Sequence, residues 1–228
     1  MSRRVIVVIP ARIDSSRFPA KMIASETGKP LIQYAWENAN SAESVTDVYI
    51  ATDSEEISQK CEAFGARVIM TGEHPNGTSR IAEAIRELEF DVIVNMQGDE
   101  PELDPTVIDA TISILGDAVM ATAACVLQED EAENENVVKV RIDESHAIDF
   151  SRDTFDGAFR HIGVYVYTPE FLQTYVEMQP TQNEMSRKLE QMRALDNGFS
   201  IAVAMVEPQA GGIDTRDQYD EFVARKRV

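Results

Sequence analysis

The sequence predicts an α/β protein built on a doubly wound, mostly parallel central sheet with a smaller sheet extension. Three observations carry that expectation. Apolar, β-branched runs alternate with amphipathic helical segments through the first half of the chain. The first run, Val5–Pro10, is continuously apolar, as a strand covered on both faces should be. Beyond residue 118 the rhythm shifts to strands with fewer helices between them.

Taken in order, Val5–Pro10 is the first strand, and Pro30–Ala39 is helical, with Leu31, Ile32, Ala35 and Trp36 on one face. Asp47–Thr52 is the second strand. Asp53 and Glu56 make an N-cap and capping-box pair for a helix through Phe64. Ala66–Met70 is a strand, Thr78–Leu88 a helix, Asp91–Met96 a strand and Pro105–Leu115 a helix. In the second half, Val119–Leu127, Val137–Asp143, Arg160–Tyr167 and Ile201–Val206 read as strands, and the acidic segment Gln128–Asn136 as an exposed loop. Thr181 and Glu184 cap a helix through Leu195, which Asn197-Gly198 ends. Thr215 and Gln218 open a final helix whose last turn carries Arg225, Lys226 and Arg227. With no repeat, low-complexity tract or linker, residues 1–228 read as one domain.

Composition narrows the function. A net charge of −19 argues against a nucleic-acid surface. No apolar run reaches the roughly 20 residues that cross a bilayer, and the run after Arg3 and Arg4 is too short for a signal peptide. Two cysteines, Cys61 and Cys125, in apolar surroundings suit reduced core thiols, so a cytoplasmic protein is expected. Residues 1–30 nevertheless hold six Lys/Arg against two acidic residues. A cationic island on an acidic body suits a compact anion.

The loop after the first strand holds that island: Arg12, Ser15, Ser16, Arg17 and Lys21. Ligands of open parallel sheets bind beyond the C-terminal strand ends, where this loop lies. Arginine forks and a lysine point charge among small hydroxyls can meet phosphate oxygens, or the loop is simply solvated. Neither G-x-G-x-x-G nor a Walker-type loop is present. Asn95-Met96-Gln97-Gly98-Asp99-Glu100-Pro101 follows another apolar strand. Its Asp99 either holds Mg2+, which takes one or two carboxylates plus phosphate and water, or caps the following turn. Asp214, after Gly211-Gly212, either joins such a site or caps the last helix. Alternation along Arg160–Tyr167 puts His161, Gly163, Tyr165 and Tyr167 on one face, which lines a pocket or faces solvent. Glu190 and Arg193, three apart, are expected to pair on a helix surface, and Arg80 to sit on a solvated helix face.

The order of these motifs carries more than any one of them. Arg12…Ser15-Ser16-Arg17…Pro19…Lys21, Ala51-Thr52-Asp53, Gly77-Thr78…Arg80, Gln97-Gly98-Asp99-Glu100-Pro101, Lys139-Val140, Phe150-Ser151-Arg152, Arg160-His161…Gly163…Tyr165, Leu189-Glu190-Gln191…Arg193 and Asp214-Thr215 follow one another over nearly the whole chain. In this it resembles the 3-deoxy-manno-octulosonate (Kdo) cytidylyltransferase family.

The resemblance implies a Rossmann-like nucleotide-diphospho-sugar transferase fold, with 1–118 mainly nucleotide-binding and 119–228 mainly sugar-binding and dimerising. It implies a cytoplasmic homodimer that joins CMP from CTP to Kdo with Mg2+, for lipopolysaccharide synthesis. Arg12, Ser15 and Lys21 would hold the triphosphate, with Arg80 and Gln97 near the nucleotide. Asp99 and Asp214 would bind Mg2+. Gln97, Arg152, His161, Tyr165, Glu190 and Gln191 would contact the acidic sugar, and Lys21, Arg12 and Asp99 would carry the catalytic work.

This chain departs from the family pattern in two places. It reads Pro19-Ala20-Lys21-Met22 where Pro-Gly-Lys-Pro is usual, so a rearranged phosphate loop is expected. It also has Asp149 before Phe150 and a short 153–159 segment beside the expected sugar residues. An acidic Asp149 facing the pocket would favour 8-amino-Kdo, and another 2-keto-3-deoxy sugar acid is a further alternative. From a different class, the chain would be an inactive nucleotide-binding homologue. The retention of Lys21, Asp99 and Asp214 together speaks against that.

Overall fold

Val5–Ala11 forms the first strand (β1), and every one of its side chains is buried. In a computed structural model describing residues 3–15 and 17–227, it is followed by α1 (Leu31–Ser41), β2 (Asp47–Thr52), α2 (Glu55–Ala63), β3 (Arg67–Met70), α3 (Gly77–Ala84), β4 (Val92–Asn95) and α4 (Pro105–Ile114). Next come β5 (Met120–Val126), β6 (Lys139–Asp143), β7 (His146–Ser151), β8 (Phe159–Tyr167), α5 (Pro169–Glu177), α6 (Gln182–Arg187), α7 (Met192–Asp196), β9 (Ile201–Met205) and α8 (Arg216–Lys226).

The chain divides into two units. The first comprises the residues up to Phe90, Asn95–Pro105 and everything from Ala210 onward; the second comprises Asp91–Val94 and Thr106–Gln209. In the first, β1 pairs with β2 and β2 with β3, both in parallel, from Ile6↔Asp47 and Tyr49↔Arg67 onward. The crossovers are α1 and α2, as the apolar strands require. The C-terminal segment belongs to this unit and not to the half beginning at residue 119. Phe18, Leu31, Ile213, Tyr219, Phe222 and Val223 form one buried cluster, with the Phe18 and Tyr219 rings 5.3 Å apart.

The second unit orders its strands β4-β8-β5-β9-β7-β6. β5 runs antiparallel to β8 and parallel to β9, and β6–β7 is an antiparallel hairpin. This is the expected sheet extension, enlarged by a strand, β7, absent from the sequence reading. Its pattern, with only Ala147 and Phe150 buried, is too weakly alternating to announce itself. Helix α5 was also missed, although Thr168 caps it through Phe171 N and Pro169 occupies its first turn. The single helix expected through Leu195 is broken at Lys188, whose φ of 55° ends α6 in the left-handed region. Helix α2 is capped by Ser54, whose Oγ accepts from Ile57 N at 3.4 Å, and not by Asp53.

Candidate functional site

Three segments of the first unit converge: the loop after β1, the stretch after β4 and the approach to α8. Ala20 closes the loop, its N–H donating to Ile13 O at 3.1 Å. It holds φ 55° and ψ 24°, a left-handed conformation suited to glycine. Alanine here occupies a conformation that glycine adopts without a Cβ penalty. A 3-10 turn, Lys21–Ile23, follows and carries Lys21 inward until only 5% of it is exposed.

There the Lys21 ammonium donates to Asp99 Oδ2 at 2.6 Å, to Ile213 O at 2.7 Å and to Asp214 Oδ1 at 3.5 Å. The Ile213 N–H donates to Asp99 O at 2.8 Å, lacing the two acidic segments together. Space is tight at Gly98, where a Cβ would lie 3.1 Å from Ile9 Cγ2 and Met22 Sδ, and at Gly212, where one would lie 3.1 Å from Glu100 Oε1. The cap alternative for Asp214 falls to its neighbour: Thr215 caps α8, with Gln218 completing a capping box. The Asp214 carboxylate therefore turns to Lys21 and to Arg17, whose Nη2 is 2.9 Å away.

Two carboxylates thus meet around one cation position, beside a backbone carbonyl. Hard oxygen donors in that number fit Mg2+, which fills the rest of its shell with phosphate and water. Among the described residues there is no group of three or more His, Cys, Asp or Glu that would make an all-protein metal cage. Arg12 lies exposed in the same loop and Ser15 half-exposed, while Ser16 lies outside the described residues. Gln97 donates to Asn95 Oδ1 at 3.1 Å.

Arg80 departs from the surface position its spacing suggests. It is 3% exposed, donating to Asp53 Oδ2 at 2.8 Å, Thr71 Oγ1 at 2.7 Å and Gly72 O at 3.3 Å. It ties the ends of β2 and β3 together, and Asp53, released from capping, is its counter-ion.

The second unit brings together several residues expected to meet the sugar. His161 and Tyr165 share a face of β8, with ring centroids 5.4 Å apart, and the Phe150 ring meets His161 edge-on at 5.2 Å. Burial pushes the His161 pKa down to about 3, so the ring is neutral. Burial also raises that of Tyr165, which keeps its phenolic proton. Arg152 sits in the loop after β7, its Nη1 donating to Glu135 O at 2.9 Å. Glu190 and Gln191 lie between α6 and α7. The Tyr175 hydroxyl donates to Glu190 O, and Gln191 is buried.

Two expectations are corrected here. Arg193 does not pair with Glu190 on a surface; it is buried and grips Glu184 through Nε, at 2.7 Å, and Nη2. The three-residue spacing was overridden by a carboxylate nine positions away that burial required to be neutralised. Asp149 is paired with Arg187, whose Nη1 also donates to Phe150 O at 2.6 Å. Its charge is compensated within the fold.

Sequence reasoning missed Thr122 and gave Lys139 no role beyond its place in the motif order. Thr122, the hydroxyl in the otherwise apolar run Met120–Val126, is buried behind His161 and bonds its Nε2 at 2.9 Å. Lys139 is wholly buried, donating to Asn134 O and Arg152 O at 2.8 Å each. A charged residue within a strand was the signal for it.

A parallel sheet with a cation-bearing loop and paired aspartates beyond its strand ends is the architecture of a nucleotidyltransferase. Residues 6–201 match the family model for cytidylyltransferase. The 8-amino-3,8-dideoxy-manno-octulosonate cytidylyltransferase of Shewanella pealeana is 41% identical, covering 98% of this chain and 99% of its own. The 3-deoxy-manno-octulosonate cytidylyltransferase of Geotalea daltonii is 39% identical, covering 97% and 98%. A solved CMP:2-keto-3-deoxy-manno-octonic acid synthetase complexed with CTP superposes with a TM-score of 0.93 at 31% identity, over 98% of both chains. The chain belongs to the 3-deoxy-manno-octulosonate cytidylyltransferase family.

Proposed function

We propose that this protein transfers CMP from CTP to the anomeric hydroxyl of 3-deoxy-manno-octulosonate, releasing diphosphate, in the supply of activated sugar for lipopolysaccharide. The observation that carries this reading is the convergence of Lys21, Asp99 and Asp214 on one cation position.

The hydroxyl oxygen of the sugar attacks the α-phosphorus in line, the bond to the bridging oxygen of the β-phosphate breaks, and the hydroxyl proton passes to solvent. No covalent enzyme intermediate is needed. Arg12 steadies the departing diphosphate, and Ser15 and Lys21 hold phosphate oxygens. Positioning and charge stabilisation supply most of the catalysis in such transfers. Asp99 and Asp214 would hold Mg2+, which when bound neutralises phosphate charge. Arg152 pairs with the sugar carboxylate, while Gln97, His161, Tyr165, Glu190 and Gln191 fix its hydroxyls. Arg80 acts near the nucleotide by holding the Asp53 and Thr71 segments in place.

The 8-amino sugar remains the second reading, favoured by the Shewanella pealeana relative. The compensated charge of Asp149 removes the reason that residue gave for it. We further propose a cytoplasmic homodimer, checked by sedimentation of the purified protein and by fractionation of the cell. The deciding experiment is diphosphate release from CTP with Mg2+ across Kdo, 8-amino-Kdo and other 2-keto-3-deoxy sugar acids. Kdo-dependent release is expected. CTP binding without sugar-dependent release would replace this reading with that of an inactive nucleotide-binding homologue.

A further inference from the structure

Strand β8 carries two extra residues, Gly163 and Val164, opposite the step from Thr122 to Ala123 in β5: Ala123 pairs with Ile162, but Thr122 pairs with Tyr165. Such a bulge withdraws backbone groups from the ladder and re-aims the side chains around it. The Thr122 hydroxyl lies where the freed carbonyls point, 2.8 Å from Val164 O and 3.2 Å from Ile162 O. Thr122 is fully buried, so its single proton must serve one of these acceptors.

That requirement fixes the histidine beside it. Thr122 Oγ1 is also 2.9 Å from His161 Nε2. A carbonyl oxygen cannot donate, and a hydroxyl has one proton and two lone pairs. If Thr122 gave its proton to His161, its oxygen would face two carbonyl oxygens in a buried site with no hydrogen between them. The proton therefore goes to Val164 O, and the bond to His161 is donated by Nε2–H. Burial keeps the ring neutral, so Nδ1 carries no proton, and it hydrogen-bonds to no described residue.

We propose that Thr122 is a positioning residue that locks His161 as the Nε2–H tautomer, making Nδ1 an obligate acceptor for a sugar hydroxyl rather than a donor to the sugar carboxylate. This rests on the proposed sugar site, and it assigns the polarity of one contact there. His161 selects for a donor on the substrate, and the carboxylate is left to Arg152.

The test is nitrogen NMR on the full-length protein with 15N-labelled histidine, of which the chain has three, His161 being assigned by the signal lost in His161→Asn. The wild type should show a pyrrole-like, protonated Nε2 and a pyridine-like Nδ1 from pH 5 to 8. Thr122→Ser should keep that pattern and the KM for Kdo. Thr122→Val should lose the fixed tautomer and raise the KM for Kdo about tenfold, as for one lost hydrogen bond, with the KM for CTP unchanged. A protonated Nδ1 in the wild type overturns the proposal even if Thr122→Val fails to fold. So does a folded Thr122→Val protein that retains both tautomer and KM. The expected tautomer in a wild-type protein that releases no diphosphate with any sugar acid would uphold the hydrogen-bond assignment and reject the sugar-site reading instead.

Discussion

The Nζ of Lys21 donates to Asp99 Oδ2 at 2.6 Å, joining residues 78 positions apart in the chain. The contact ties the loop after β1 to the segment after β4. Asp99 is about a quarter exposed and Asp214 more so, and they share this one cation. Replacing either carboxylate should therefore cost catalysis more than folding. In Asp99→Asn and Asp214→Asn we expect turnover to fall by about 100-fold or more, with less than about 1 kcal/mol lost in urea unfolding. Diphosphate release at saturating Mg2+ measures the first quantity. Near-normal turnover in either variant removes that residue from the metal site.

Ala20 makes the loop locally strained. At φ 55° its Cβ is crowded, a cost of roughly 1–2 kcal/mol that glycine avoids, while glycine loses about 0.4–1 kcal/mol more entropy on folding. Ala20→Gly should thus stabilise the protein by about 0.5–1 kcal/mol. Ala20→Val should destabilise it. Chemical denaturation of the pair decides the matter, and a destabilised Ala20→Gly would show that the loop does not need the left-handed turn.

Gly163 allows a test of the proposed sugar face that leaves the fold alone. A Cβ there enters open space, in the strand segment between His161 and Tyr165. Gly163→Ala should unfold at the same urea concentration as the wild type yet bind Kdo several-fold more weakly, with CTP binding unchanged. Unaltered Kdo affinity would mean that this face is plain solvent surface.

Buried charge governs the packing of α6 and α7. Arg193 and Glu184 are each 7% exposed, and the guanidinium also lies over the Tyr175 ring at 4.9 Å. Removing one partner strands the other, at a cost of about 3–5 kcal/mol. Arg193→Met should lose that much in equilibrium unfolding, and Glu184→Met with Arg193→Met should recover part of it. A single variant as stable as the wild type would count against the pair as a structural element.

What could be read from the sequence follows the reach of local physics. The β1, β2 and β3 strands announce themselves by apolar runs, and Thr215–Gln218 by a capping box, because a few neighbouring residues determine each. Asp53, Ser54 and Arg80 could not be resolved that way. Two cap candidates stood side by side, and the choice turned on an arginine 27 residues further on. The same holds for Thr122, whose value lies in a bulge on another strand. Motif order named Lys21, Asp99 and Asp214, but only the fold shows that lysine binding both carboxylates.

The neutral state of His161 has a consequence for stability that follows from the direction of its shift. The imidazole titrates near pH 6.5 in an unfolded chain but near 3 in the folded protein, because burial disfavours its charged form. Between those values the unfolded state holds a proton that the folded state refuses. The contribution is therefore fully present above pH 6.5 and is lost as the pH falls towards 3, at up to about 1.4 kcal/mol per pH unit. His161→Gln removes the titration but keeps a hydrogen-bonding side chain. Urea unfolding of both proteins from pH 7.5 down to 4.5 should give curves that run parallel above pH 6.5 and converge below it, the wild type losing stability faster. Curves parallel throughout would mean that His161 takes up its proton as readily in the folded protein as in the unfolded chain, and burial would not be what keeps the ring neutral.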